Sequence, residues 1–455
     1  MKMLIWLMLV LISQKLTAQK VFTEDDFIGV VKKFHPVAKQ ASLEVRIARA
    51  ELLESRGVFD PVLALDNGRK EFDGITYYDQ RWVEIKIPTW YGIDFHAGKE
   101  TMEGSRINNE ETKGSINYVG VSVPVVKNMV IDRRRAAVQQ ARIWSEQSDV
   151  RRRAIINDLM VDALATYWQW WEQHYKLALI QSSLENAIRR YKMVQTAYRL
   201  GDRPAIDTLE AFTQVQVFQQ RETEFLMEAF TSRLELSTFL WTADDAAYEL
   251  PPDVLPQGFV REELLLDSML LASNIHPELI EYDYKLRGLE VERRLKFQSL
   301  LPQVNLKYNQ TGRDLSKTIN GAWFQNNYRF GISMYVPLRL SEGRGGLQAA
   351  RLKIEQTRLV QANKQVQVQT KVRQYYTEWR QTGVQLNLQA NLVENYVALQ
   401  RGEEIRFQNG ESSLFLINAR ELRTIESQQK LIELQAKNRF SSIKLKGAAG
   451  VFSNL

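Results

Sequence analysis

The sequence predicts a mainly α protein with a small β part, in which long coiled-coil α-helical hairpins join four amphipathic strands per chain. Three observations carry this. Arg133 to Leu200 contains neither glycine nor proline, so nothing in it breaks a helix; at 1.5 Å per residue it makes a rod on the order of 100 Å long. In "PQVNLKYNQ" and "RFGISMYVP" apolar and polar residues alternate, the period of a strand with one apolar face. The chain also repeats itself: His35-Pro36 and His276-Pro277 each stand before a helical pattern, and each proline is followed 25 positions later by the next, Pro61 and Pro302.

The N-terminus comes first. Lys2, the apolar run "MLIWLMLVLI" and the small Ala18 read as an export signal over residues 1–18. Beyond it no apolar run approaches the ~20 residues of a spanning helix. The mature chain is expected to be exported and not to cross a membrane as helices. Cysteine is absent, so disulfides, thiolate chemistry, Cys-based metal sites and an acylated N-terminal cysteine are all excluded from the reading.

A first structural repeat is expected over 19–250 and a second over 261–455, separated by the "PPDVLPQG" linker at 251–260. In each, proline opens a helix. Ala38, Ala41, Val45, Ala48 and Leu52 recur on one helix face, with Leu279, Tyr282, Leu286 and Leu289 as counterparts and Arg293 where the pattern slips. Strands follow at about 62–124 and about 303–338. Val304, Leu306 and Tyr308 alternate with polar residues, Phe330, Ile332, Met334 and Val336 keep the same period, and in the first repeat Val119, Val121 and Val123 before Pro124 match the latter. Such strands suit a half-buried antiparallel sheet and a barrel wall between lipid and water equally.

Long helical hairpins complete the repeats, at about 133–248 with its tip at Gly201 and at about 346–446 with its tip at Gly410. In the first rod Ile156, Met160, Ala163, Tyr167, Trp170, His174, Leu177, Gln181, Leu184, Ile188, Tyr191, Gln195 and Tyr198 keep a 4-3-4-3 spacing, a coiled-coil seam with wet positions. The tip glycines are helix C-caps free to take positive φ, and Pro204 and Ser413 open the returning helices. Four strands leave two sheet edges open, so self-assembly is expected.

These features together resemble the TolC family of outer-membrane efflux proteins. The likeness rests on the two His-Pro pairs, the strand-end prolines of "VSVPVVKN" and "MYVPLRL", the helix starts "VIDRRRA" and "SEGRGGLQAA", and the turns at Gly201 and Gly410. It covers nearly all of the mature chain. It implies a homotrimer in the outer membrane of a Gram-negative bacterium. Four strands from each copy would close a 12-stranded barrel in outer-membrane lipid, continued by a periplasmic helical tube. It also implies a passive exit duct of a tripartite efflux or type I secretion system, docked to a periplasmic adaptor protein and an inner-membrane pump of RND or ABC type. Tip and constriction residues carried over from the likeness are Gly201, Arg203, Asp207, Glu210, Gly410, Ser412 and Ser413.

Two departures stand out. Pro61 to Pro124 spans 63 positions against 35 for Pro302 to Pro337. The excess, including "RWVEIKIPTWYGIDFHAGKE", is read as an enlarged strand–loop region at the external mouth, with added barrel strands as the alternative. At the second tip, Leu416 and Asn418–Ala419 stand where the family carries acidic residues. Near the first tip Arg203 and Asp207, one helical turn apart, can pair locally; across a threefold axis three Asp207 carboxylates would instead favour cations, with ordinary cap and surface charges as the equal alternative for Arg203, Asp207 and Glu210.

Other chemistry finds little support. The net charge of +6 is a mild excess, and Arg133–Arg135 and Arg151–Arg153 read as solvated helix faces, not a nucleic-acid groove. His35, His96, His174 and His276 share no metal-ligand spacing, and "SEGRGG" lacks the Lys-Ser/Thr of a phosphate loop. No nucleophile, base and orienting residue stand together, so no enzyme and no cofactor are expected. "YWQWWEQHY" reads as packing between helices, with a membrane-interface belt as the alternative. The competing function is a periplasmic coiled-coil structural or adhesive protein without a pore.

Overall fold

The computed structural model describes residues 21–108 and 112–454; the expected export signal at 1–18 lies outside the described residues. Packing divides the chain into two compact units. Among the described residues one unit holds those up to Ser42, Arg151–Pro277 and those from Lys364 onward; the other holds those within Leu43–Val150 and Glu278–Asn363. Each draws on both sides of the 251–260 linker.

Helices dominate among the described residues. They are α1 (Glu24–Phe34), α2 (Pro36–Arg56), α3 (Arg133–Arg199), α4 (Ala205–Ser237), α5 (Leu266–Ser273), α6 (Pro277–Gln298), α7 (Leu315–Asn320), α8 (Ser341–Gln408) and α9 (Leu414–Ala448). The expected unbroken rods are α3, of 67 residues, and α8, of 68. Pro36 and Pro277 are the first residues of α2 and α6, as their fixed φ favours. The short α1 ahead of the first His-Pro was not foreseen. Thr23 and Asp26 form its capping box, each side chain accepting from the other's backbone N–H.

In the first unit the core gathers on α3. Tyr167, Trp168, Trp170 and Trp171 are buried with Phe27, Met160, Leu164, Leu236 and Ile443. Tyr167 Oη donates to the Phe22 carbonyl, Trp168 Nε1 to Glu24, and Trp171 Nε1 to the Gln257 carbonyl. The aromatic run is therefore packing, as expected. Two short strands, β1 (Val21–Phe22) and β6 (Leu255–Pro256), pair in parallel and tie the segment before α1 to the linker. The expected seam is buried from Ile156 to Trp170 and again at Leu184, while beside it Ile180, Ala187 and Val194 are buried and Gln181 is exposed.

The second unit carries a six-stranded antiparallel sheet: β2 (Val62–Phe72), β3 (Ile75–Pro88), β4 (Asp94–Glu103), β5 (Gly114–Pro124), β7 (Gln303–Gly312) and β8 (Tyr328–Tyr335), in that order. This corrects the expectation of four strands and an enlarged loop. The longer first region is a meander of four strands, β2 to β5, joined by three connections. The first turn is at Asp73-Gly74, both at positive φ, the backbone a tight hairpin needs. The second lies between Pro88 and Asp94, closed by Thr89 and Ile93 backbone bonds. His96, expected in a loop, lies buried on β4. Nor are Arg134 and Arg135 solvated. Arg134 reaches Asp94 at 3.0 Å, and Arg135 donates to the Met129 carbonyl, fastening the start of α3 to the strand turns.

Candidate functional site

Two arrangements are candidates: the paired hairpin tips of the first unit and the two faces of the sheet in the second.

Each tip is built the same way. α3 ends with Gly201 N–H bonded to the Tyr198 carbonyl and Asp202 N–H to the Ala197 carbonyl. α8 ends with Gly410 N–H bonded to Phe407 and Glu411 N–H to Arg406. This double bond pattern needs a left-handed residue, and the glycines supply φ of 86° and 75°. Ser413 caps α9 by accepting from Leu416 N–H, whereas Pro204 precedes α4 with no side-chain cap.

The remaining expected tip residues lie close together. Arg203 stacks 4.2 Å over the Phe407 ring and stands 3.7 Å from Asp207, so Asp207 has a partner within its own chain. Glu210 accepts from Asn418, whose Oδ1 accepts from Arg190. Arg190 also donates two 2.8 Å bonds to the buried carboxylate of Glu421. Ser412 donates to the buried Glu403, on which Arg406 and Arg420 also converge. A cleft of about 890 Å³ opens here, lined in part by Arg189, Arg190, Lys192, Arg203, Phe407 and Glu421. Its charged lining residues are Arg189, Arg190, Lys192 and Arg203, with Glu404 and Glu421 among them. Sequence reading missed Arg190, Phe407, Glu403 and Glu421; only Phe407, an aromatic just before Gly410, left a local signal.

The sheet sorts its side chains by face, since directly paired residues share one. Leu63 and Leu65 on β2 stand opposite Ile85 and Val83 on β3; Ile87 and Ile85 pair with Phe95 and Ala97 on β4. Phe95 and Ala97 pair with Val121 and Val119 on β5, Val121 and Val123 with Tyr308 and Leu306 on β7, and those with Phe330 and Ile332 on β8. One apolar band thus crosses all six strands. Much of it is bare: Leu65 is 74% exposed and Met334 67%.

The opposite face is polar. Trp82 Nε1 donates to Tyr118 Oη, which donates to Glu84 at 2.8 Å. Gly98 leaves the room that Tyr118 occupies, since a Cβ there would stand 2.6 Å from Tyr118 Oη. His96 and Asn309 pair across the space beside Gly120. Lys307, Arg329 and Glu100 line a cleft of about 380 Å³ on this face. Among the described residues no three His, Cys, Asp or Glu side chains stand together as metal ligands, and no helix is long and apolar enough to cross a membrane.

No protein-family model matches the sequence, and no curated protein is significantly similar to it. Solved structures are similar in fold. The CmeC outer membrane channel of Campylobacter jejuni superposes with a TM-score of 0.67 at 12% identity, over 94% of this chain and 85% of that one. The outer membrane protein VceC of Vibrio cholerae gives 0.66 at 12%, over 94% and 96%. The Neisseria gonorrhoeae MtrE outer membrane channel, in its open state, gives 0.65 at 14%, over 94% and 88%.

Proposed function

We propose that this chain, whose fold is that of the TolC-like outer-membrane channels, is a passive exit duct in the outer membrane of a Gram-negative bacterium. The observation that carries the reading is the sheet with one apolar and one polar face on every strand, the pattern of a wall between lipid and a water-filled lumen. The β7–β8 connection covers the band at Tyr308 with Trp323 and Phe324, but Leu63, Leu65, Ile332 and Met334 are all more than half exposed.

In this reading copies of the chain, three by analogy with the fold, close the sheet into a barrel, and the long helices form a periplasmic tube. The tips around Gly201 and Gly410 are its periplasmic end. There Arg203, Asp207, Glu210, Ser412 and Ser413 hold the constriction and meet a periplasmic adaptor coupled to an inner-membrane pump of RND or ABC type. Substrate transport is then diffusion through a lumen. The cation–π contact, the Arg203–Asp207 pair and the Arg190–Glu421 bonds hold the tips together until a partner displaces them.

Reconstitution in planar lipid bilayers tests this. The purified protein is expected to give discrete ohmic conductance steps, enlarged in an Arg190→Ala/Arg203→Ala variant. A preparation that inserts into bilayers without conducting in either form overturns the duct in favour of a periplasmic structural protein.

A further inference from the structure

The sheet ends on two edges, β2 and β8, that pair with no other strand among the described residues. With six strands alternating in direction, β2 and β8 run oppositely. The β8 of one copy can therefore pair antiparallel with the β2 of the next without breaking the alternation.

Every strand of the longer first region belongs to this wall. β2 and β3 carry the apolar band as fully as β7 and β8 do, with Leu63, Leu65, Val83, Ile85 and Ile87 in line with Phe95 and Val121. The β3–β4 ladder is continuous from Asp79↔Glu103 to Pro88↔Asp94, so setting the first hairpin aside would strip a whole row of backbone bonds. The turn between β3 and β4 carries Trp90 and Tyr91, 51% and 82% exposed. Aromatic side chains of this kind collect at a lipid–water boundary. That turn is also fastened to the start of α3 through Asp94 and Arg134, at the strand ends where the helices begin.

The stagger fits closure. Followed across the ladders, Val62 leads through Lys86, His96, Gly120 and Asn309 to Arg329, whereas the strand ends at that side are Val62 on β2 and Tyr335 on β8. The rim therefore drops by about six residues over five strand spacings, and a rise near 3.3 Å against a spacing near 4.8 Å gives a tilt of roughly 40°. Closed outer-membrane barrels tilt by about 35–45°.

We propose that β8 of each copy pairs with β2 of the next, so that all six strands are wall and three copies close an 18-stranded barrel, not one of 12. This rests on the duct reading above. At that tilt and spacing the backbone radius is roughly 18 Å against roughly 12 Å for 12 strands, about doubling the lumen's cross-section. Barrels of this size hold an open aqueous channel instead of a side-chain core.

Because the chain has no cysteine, disulfide trapping on the intact protein tests the seam. Ile332→Cys on β8 is combined in turn with Leu63→Cys, Leu65→Cys and Asn67→Cys on β2, and separately with Phe95→Cys, Ala97→Cys and Lys99→Cys on β4. Single-cysteine variants extracted in the same detergent as the parent control for folding. The expected result is a covalent ladder up to trimer for at least one β2 pair, with at least tenfold less for every β4 pair. A ladder from the β4 pairs alone overturns the 18-stranded wall while leaving the duct standing. A detergent-free monomer with no cross-link from either set overturns both.

Discussion

Arg203, just past the end of one long helix, lays its guanidinium 4.2 Å over the ring of Phe407, near the end of the other. The same guanidinium approaches the Phe407 carbonyl at 3.5 Å, where the last carbonyls of a helix carry partial negative charge. The contact joins two turns 209 positions apart in sequence, and it makes the pair a coupled unit.

That coupling is measurable. In a double-mutant cycle, Arg203→Ala and Phe407→Leu are expected to interact by about 1 kcal/mol, the size of a partly exposed cation–π contact. Thermal unfolding of the four proteins gives the number; additivity within error would mean the stacking contributes nothing.

The tip glycines are set by backbone, not by crowding. No atom lies within 4 Å of a Cβ added at Gly201 or Gly410, yet both sit at positive φ. Alanine at either is expected to cost about 1 kcal/mol, and asparagine, which tolerates that backbone, less. Equal losses for alanine and asparagine in thermal melts would contradict the C-cap account.

Arg190 and Glu421 form a nearly buried pair, with side chains 12% and 4% exposed. Removing one partner leaves a charge without compensation, so Arg190→Met is expected to cost about 3 kcal/mol. Arg190→Met with Glu421→Leu should recover most of that loss. Denaturant unfolding checks the recovery, and a double variant no better than the single one would place the effect in packing.

Acid acts at a second, partly buried network. Glu262 lies 2.9 Å from Arg439 and 2.7 Å from Lys446. Burial pushes its carboxyl up, but the bonds and charges of Lys446 and Arg439 together outweigh that and hold it below the usual 4.5. The unfolded glutamate therefore binds its proton at higher pH than the folded one. The stabilisation is complete above about pH 4.5 and is lost as pH falls through the lower folded value. Melting temperature should drop across that window in the parent and drop less in Glu262→Gln; parallel profiles would show that Glu262 does not contribute.

How far the sequence carried the fold depended on how local the signal was. The rods needed only the absence of glycine and proline, and the tips needed only a glycine that positive φ requires. Strand alternation at Val83–Ile87 and Val304–Tyr308 was equally plain. The strand count was missed although "FDGI" at 72–75 holds an Asp-Gly turn, because Arg69, Lys70 and Glu71 interrupt the apolar rhythm beside it. Arg190 and Glu421 are 231 positions apart, and no spacing rule connects them.

Native mass spectrometry of the detergent-extracted protein tests the central claim most directly. The duct account predicts a homotrimer that needs detergent to stay in solution, because the apolar band must be covered by lipid or its substitute. A monomer or dimer that is soluble without detergent would contradict it.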